Sequence, residues 1–563
     1  MLFSMRKLLV VFGLSCLVLA QETVDESTIA KIRSEEMEHS QILHTLHMLT
    51  DRYGPRLTGS PNYESAAKWA VAQLTEWGFK NAHLEPWDFG HPGWMNERAA
   101  GYMVAPVREN LKFEVLGWTP STGGTVMAPA IEVVVPQGPF PAPLPPATDA
   151  PPAAGRGGRG APQRLPPTKE EMTRWVQDTK DQVRGKMVLV GKAAPVAVNF
   201  NPPQLRRDDA AVKQSYDPNN PNAGRGGRGT PPPPDPSRLT PAQVTEMVDA
   251  MLLENGALLR INDAGMDHGL IRAFQNRTYD SSKVVPTVVL RNEDYGRIER
   301  LLHDGEDVRL EFNIVNRDYP EGKTAYNVVA EIPGTDKADE IVMLGGHLDS
   351  WHAATGATDN AIGSSMMMEA ARLIQALKLK PRRTIRVGLW AGEEEGLLGS
   401  KAYVEQHFGT FENPKPEWAT LDCYFNIDSG TGRVRGANIF GPPEAAAVLR
   451  PVLARFEDFG VAGASSTSSR ATGGTDSTSF NAAGLPGIGM AQDPIEYQSF
   501  TWHTNLDTYE RIVPDDAMKA ASTIAAAVWH VANLEQMIPR FSKEQMPLPV
   551  TPRPAAPTPT TAR

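Results

Sequence analysis

Three short apolar runs in the second half of the chain end in side chains that hold metals or move protons. Residues 341–344 run into Gly345-Gly346-His347-Leu348-Asp349. Residues 385–390 run into Ala391-Gly392-Glu393-Glu394-Glu395-Gly396, and residues 424–427 into Asp428-Ser429-Gly430. In open α/β sheets, sites form beyond the carboxyl ends of the strands. Three such ends would bring His347, Glu393, Glu394 and Asp428 together, and the loop residues Asp359 and His503 could complete the ring. Asp359, Glu393, Glu394 and Asp428 would repel one another without a counter-charge, and some would stay protonated. Two divalent cations would balance the four charges. The nearby arginines, Arg382 and Arg383, precede a strand and should lie at its other end. Histidine with carboxylate ligation suits zinc at neutral pH. Two zinc ions sharing a bridging carboxylate is the economical reading. Singly, each of these residues would more often be a surface acid or a core histidine; their joint placement favours the metal.

The elements that must position them alternate. Residues 328–332, 341–344, 385–390 and 424–427 are runs of buried-strand type, and 364–377, 397–407, 444–459 and 516–534 read as helices. That alternation predicts an α/β layer fold with a mainly parallel sheet from about residue 323 to 540. Ile29, Ile32, Met37, Ile42, Leu43, Leu46 and Leu49 predict one amphipathic helix over 24–49; His39, His44 and His47 on it read as solvated or packed histidines. A second helix is expected over 64–77, stopped by Gly78. Residues 21–115 then form the N-terminal part of the same domain. Composition changes near residue 115, and 116–322 reads as a separate mixed α and β domain with strand-like runs at 186–190, 257–261, 285–290 and 308–315. Proline crowds 136–167 and 218–241, where Ala-Gly-Arg-Gly-Gly-Arg-Gly occurs twice, at 154–160 and 223–229. Such stretches bury too little apolar surface to offset ordering entropy and read as flexible loops; an RNA-binding reading is disfavoured by two arginines apiece on an acidic chain.

The chain of 563 residues carries 56 Lys+Arg against 66 Asp+Glu, a formal charge of −10. That balance is a poor footprint for nucleic acid. Arg6 and Lys7, the apolar stretch 8–19 and Val18-Leu19-Ala20 read as a cleaved export signal over 1–20. The run is short for a membrane anchor, and Gly13-Leu14-Ser15 is a poor approach to a lipidated Cys16. A periplasmic or extracellular location, without stable membrane insertion, follows as an expectation. Cleavage would leave only Cys423, inside the apolar run 421–427, so no intrachain disulfide is expected and Cys423 reads as core. The Pro-rich tail 541–563 closes the chain.

Several motifs together resemble those of a family. Gly346-His347-Leu348-Asp349, Ala357-Thr358-Asp359-Asn360, Glu393-Glu394, Asp428 and Trp502-His503-Thr504-Asn505-Leu506-Asp507-Thr508 are similar to the two-zinc exopeptidases, which include secreted aminopeptidases and glutamate carboxypeptidases. Leu57-Thr58-Gly59-Ser60, Leu84-Glu85-Pro86 and the stretch from Ala525-Ala526-Ala527-Val528-Trp529 to Met537-Ile538-Pro539-Arg540 extend the likeness to the plasma glutamate carboxypeptidase branch. It covers most of 40–540 apart from the Gly/Pro loops. The resemblance implies a zinc exopeptidase fold, a mainly parallel mixed sheet flanked by helices, with an inserted protease-associated α+β domain as lid or wall. It implies two Zn2+ per chain: Asp359 bridging both, Glu394 and His503 completing one, His347 and Asp428 the other. Asp349 would orient His347, and Glu393 would be the general base in hydrolysis by a metal-activated water. Glu395 also carries a carboxylate, and the family pattern selects Glu393 and Glu394. A cis Asp359–Asn360 peptide is implied, and a homodimer is a family expectation. Asp476, in Gly473-Gly474-Thr475-Asp476-Ser477, reads either as support for the site or as a turn acid.

The expected activity is hydrolysis of dipeptides or short peptides, carboxypeptidase- or dipeptidase-like, with a broad aminopeptidase as the alternative. A non-catalytic receptor-like member of the fold would be expected to have lost ligands. Asp428-Ser429-Gly430-Thr431 resembles the aspartic-protease signature, but that chemistry needs two aspartates sharing a proton. No Gly-x-Ser-x-Gly elbow of a serine hydrolase occurs.

Overall fold

The computed structural model describes residues 24–140, 164–198, 200, 203, 205–220, 235–471 and 473–549. The export signal with Cys16, both Gly-Arg repeats and the tail beyond 549 lie outside the described residues.

Two eight-stranded sheets organise the molecule. The first is mixed with a parallel centre. Strand Lys337–His347 pairs in parallel with Arg383–Trp390 on one side and Leu421–Asn426 on the other, and Gly487–Gln492 adds to the latter in parallel. Thr324–Ile332 and Lys80–Asp88 extend one edge antiparallel. Val434–Phe440, antiparallel to Gly487–Gln492, and Ala464–Thr467 form the other edge. The central strands are buried on both faces, which explains their continuous apolar runs. Gly93–Ala105 already belongs to the second sheet and pairs with Arg309–Tyr319, so sheet membership changes between residues 88 and 93, ahead of the composition shift near 115. Val126–Val133, Met187–Val190, Leu259–Asp263 and Thr287–Leu290 continue that second sheet. Both of its ends therefore return to the first sheet, as an insertion requires.

Helix Ile362–Ala376 is buried almost all round, between the first sheet and the C-terminal helix Pro514–Asn533. The four apolar runs expected as strands and the helical stretches from 364 onward all appear, shifted by a few residues at their ends. The 444–459 helix changes to a 3-10 turn at Ala454, after Pro451. Cys423 is fully buried in the first sheet's core. Arg382 and Arg383 lie at the far end of their strand, where Arg382 meets Asp336 and Glu535 and Arg383 meets Glu340.

The helix expected over 24–49 is broken. Glu26–His39 ends, and Ile42–His47 starts afresh. A buried ionic group causes the break. The guanidinium of Arg372 grips the Glu369 carboxylate (Nε–Oε2 2.9 Å, Nη2–Oε1 2.8 Å) and also donates to the His39 carbonyl at 3.1 Å. Glu369 accepts the Gln41 N–H at 3.1 Å, which caps the new helix. Periodicity runs across the break because both helices bury the same face. Burial and the adjacent Glu369 push Glu36 up to about 10, so it stays protonated in this cluster. Replacing Arg372 with Met should strand the Glu369 charge and cost about 3–5 kcal/mol, read as a lower urea midpoint with an unchanged slope.

Candidate metal centre

The centre forms at the carboxyl end of the first sheet because three parallel strands stop in step. His347 is the last residue of its strand and pairs with Trp390, the last of the neighbour; Gly345 pairs with Asn426, the last of the third. The next few residues of each chain segment, Glu393-Glu394 and Asp428, must then leave the sheet at the same edge. Gly392 makes the turn with φ +67°, where an added Cβ would meet the Trp87 ring at 2.9 Å.

Six donors converge there. His347 Nε2 lies 3.2 Å from Asp359 Oδ1 and 3.4 Å from Asp428 Oδ1. His503 Nε2 lies 3.2 Å from Asp359 Oδ2 and 3.0 Å from Glu394 Oε2. Asp359 thus stands between the two imidazoles, one oxygen toward each. Ligand atoms of His347, Glu393 and Asp428 lie within 4.8 Å of one another, as do those of His347, Asp359 and Glu394. The structure therefore brings together His347, Asp359, Glu393, Glu394, Asp428 and His503, all of which the sequence nominated. Another donor group, Glu132, Glu299 and His303, sits apart in the second sheet's layer.

The charge balance fits dications. Burial, then Asp428, Asp476 and Glu394, hold Glu393 well above the usual carboxylate range. Burial and Asp359 push Glu394 up to about 7. Burial opposes a charge on His503, but Glu394 and Asp359 outweigh it and push the imidazole up to about 10. Glu394 Oε1 is buried with no hydrogen-bond donor. Among the described residues no lysine or arginine forms an ion pair with Asp359, Glu393, Glu394 or Asp428, although the charges of Arg56 and Lys401 are felt there, so a cation among these oxygens would supply the missing direct partner and the donor set fits a metal.

Surrounding groups hold the donors in place. His347 Nδ1 faces the Asp349 carbonyl at 3.1 Å and its carboxylate at 3.5 Å, which leaves Nε2 for the centre. The Asp349 carboxylate also accepts the Glu393 and Glu394 N–H groups, each at 3.3 Å, so it positions the glutamate turn as well as the imidazole. Thr58 donates to Asp349 at 3.1 Å and accepts the Gly392 N–H at 2.8 Å. Asp507 accepts the Thr358 N–H (2.5 Å), the Thr358 hydroxyl (2.7 Å) and the Asp359 N–H (3.1 Å). The Asp359–Asn360 peptide is cis, and the Asn360 amide donates to the Ile427 carbonyl at 3.0 Å, tying the Asp359 loop to the segment before Asp428. Asp476 is fully buried, close enough to His347 and Glu393 for their charges to interact. Glu395 is buried beside Asp349 and Tyr279. The motifs that contain Thr58 and Asp507 assign neither a role; only folding shows what they touch.

The second sheet's layer closes one side. Asn505 and Ile271 exchange hydrogen bonds at 2.9 and 3.0 Å. Phe274 meets the His503 ring edge-on at 5.5 Å and Trp351 at 5.0 Å. Behind Trp351, His352 Nε2–H donates to the Val115 carbonyl at 2.7 Å, while its Nδ1 is buried without a partner. Burial lowers His352 from 6.5 to about 4. Its folded value lies below the unfolded one, so its stabilising contribution is complete above pH 6.5 and is lost as pH falls through about 4, up to ~3 kcal/mol. Urea unfolding at pH 7 and pH 4 should therefore show a smaller acid loss in His352→Gln than in the parent.

Residues 327–528 match the model of peptidase family M28. Carboxypeptidase Q of Mus musculus is 26% identical over 88% of this chain and 86% of its own length. A peptidase M28 precursor from Shewanella amazonensis SB2B shares the fold with a TM-score of 0.60, at 23% identity over 92% of this chain and 99% of that one. A zinc aminopeptidase from Bacillus subtilis does so with a TM-score of 0.51, at 16% identity over 90% and 98%. With the match over 327–528 falling on the strands and loops that build the centre, that part of the chain is similar to the zinc exopeptidases of peptidase family M28, and the protein is a metallopeptidase.

Proposed function

We propose that the protein is an exported two-zinc exopeptidase that hydrolyses dipeptides or short peptides, in the manner of a carboxypeptidase or dipeptidase. The observation that carries this is the placement of Asp359 between His347 and His503, with Glu394 beside His503 and Asp428 beside His347. On this reading Asp359, His503 and Glu394 would hold one ion, and Asp359, His347 and Asp428 would hold the other. Zinc in those positions supplies Lewis acidity toward water and toward the scissile carbonyl.

The remaining chemistry belongs to the chain. Glu393 lies against His347 and Asp428 but is not needed in either ligand set, which leaves its carboxylate to take a proton from the attacking water and return it to the leaving amine. Asp349 acts as a positioning residue, because its carboxylate holds the backbone of Glu393 and Glu394. The second sheet's layer is read as the protease-associated-like insertion, a wall that shields the centre from bulk water through Phe274 and the Ile271–Asn505 pair. Export rests on the N-terminal signal; among the described residues no helix is long and apolar enough to cross a membrane.

Hydrolysis should stop with a chelator and return with zinc. Glu393→Gln should keep its metal, measured by elemental analysis, and lose at least ~100-fold in kcat. Asp359→Asn should lose metal. Near-parental turnover by Glu393→Gln excludes it as the base. A panel of free, N-blocked and C-blocked dipeptides separates the modes: cleavage of C-blocked but not N-blocked peptides makes the enzyme an aminopeptidase.

A further inference from the structure

A carboxypeptidase or dipeptidase must read a free carboxylate, and that calls for a cation beside the centre whose charge is not already spent. Most arginines near the site fail that requirement. Arg56 is fully buried, and its nitrogens donate to the carbonyls of Leu49, Leu348, Thr355 and Gly356. Arg511 pairs with Glu496. Lys401, on the Glu393 side, already donates to the Gly396 carbonyl at 2.7 Å.

Arg272 is different. It comes from the second sheet's layer, two residues before Phe274, which packs on His503. Its Nε–H donates to the Trp502 carbonyl at 3.1 Å, and its guanidinium carbon lies 4.8 Å from the Trp502 ring centre. That ring in turn stacks on His503 with centroids 4.1 Å apart. The guanidinium is therefore separated from the metal-facing imidazole by no more than those two distances together. Among the described residues it forms no ion pair, and its two terminal nitrogens have no acceptor. Burial disfavours its charge, and no acid offsets that cost. A partly buried guanidinium without an anion is an uncompensated expense in the free protein. With Nε held by Trp502, the two terminal nitrogens present the end-on fork that matches a carboxylate in two parallel hydrogen bonds. One peptide residue spans roughly 3.5 Å, so a substrate whose scissile carbonyl lies at the centre can place the carboxylate of its leaving residue across the Trp502 edge.

We propose that Arg272, seated on Trp502, is the subsite that binds the free C-terminal carboxylate, so that the preferred substrates are short peptides with an unblocked C-terminus. This rests on the exopeptidase reading and assigns its direction. The layer carrying Arg272 then contributes a substrate contact as well as a wall. The same residue explains why Trp502 precedes His503: the indole couples the carboxylate reader to a metal-facing imidazole through stacking and a main-chain hydrogen bond.

The test separates binding from turnover. Full-length Glu393→Gln protein is titrated in a calorimeter with alanyl-alanine and with its C-terminal amide. The free acid should bind roughly 10- to 100-fold more tightly than the amide. Adding Arg272→Gln should erase that ratio by weakening the acid, Arg272→Lys should restore part of it, and Lys401→Gln should leave it standing. In the active enzyme, Arg272→Gln should raise KM for the free dipeptide far more than it lowers kcat. Equal binding of acid and amide overturns the proposal. So does an equal loss for both ligands in Arg272→Gln, which would make Arg272 a prop for Trp502, or a ratio erased by Lys401→Gln. If the calorimetric ratio follows Arg272 while the active enzyme cleaves no peptide, the carboxylate subsite stands and the peptidase reading falls.

Discussion

Concentrated negative charge at one end of a parallel sheet is the constraint on which this protein depends. Two like charges about 4 Å apart near a protein surface repel by roughly 4 kcal/mol, and here Asp359, Glu393, Glu394 and Asp428 crowd around two imidazoles. Such a cluster persists only if something fixes the backbones that carry it and something supplies positive charge. The sheet does the first. Its strands end level, so the acids cannot separate without breaking main-chain pairing. A metal cation would answer the second requirement, since among the described residues no lysine or arginine forms an ion pair with these four acids.

Rigid support follows from the same constraint. Asp349 and Asp507 are themselves buried acids, yet each spends its oxygens on backbone N–H groups of the loops that carry the ligands. Carboxylates satisfied in this way hold loop geometry without competing for the metal. Thr58 links the N-terminal segment to that arrangement through Asp349 and the Gly392 N–H. Residues far apart in the chain thus determine where Glu393 and Glu394 point. The second sheet's layer completes the enclosure, since Ile271, Arg272 and Phe274 each touch the loop that carries His503.

Much of this was legible before folding. The central strands were visible as continuous apolar runs because both of their faces are buried, and the long helices because their apolar positions recur. Lys80–Asp88 and Gly93–Ala105, partly exposed, and Val434–Phe440, buried but interrupted by Arg435, Gly436 and Asn438, were not, since none carries a continuous apolar run. The break between His39 and Ile42 leaves no mark in the sequence for a related reason. Hydrophobic spacing records which face is buried, whereas the interruption comes from Arg372 and Glu369, some 330 residues away in the chain.

By itself, the sequence determined the donor types and the placement of His347, Glu393, Glu394 and Asp428 after strand ends, and it pointed to a metal among them, because those follow from residue chemistry and local periodicity. Tertiary structure alone decided which oxygen faces which imidazole, that Asp349 and Asp507 hold backbone N–H groups, and that Arg272 lies over Trp502 with no acid to meet it among the described residues. These are contacts between segments remote along the chain, set by strand register and by the docking of one sheet's layer on the other, and no local pattern of residues encodes them.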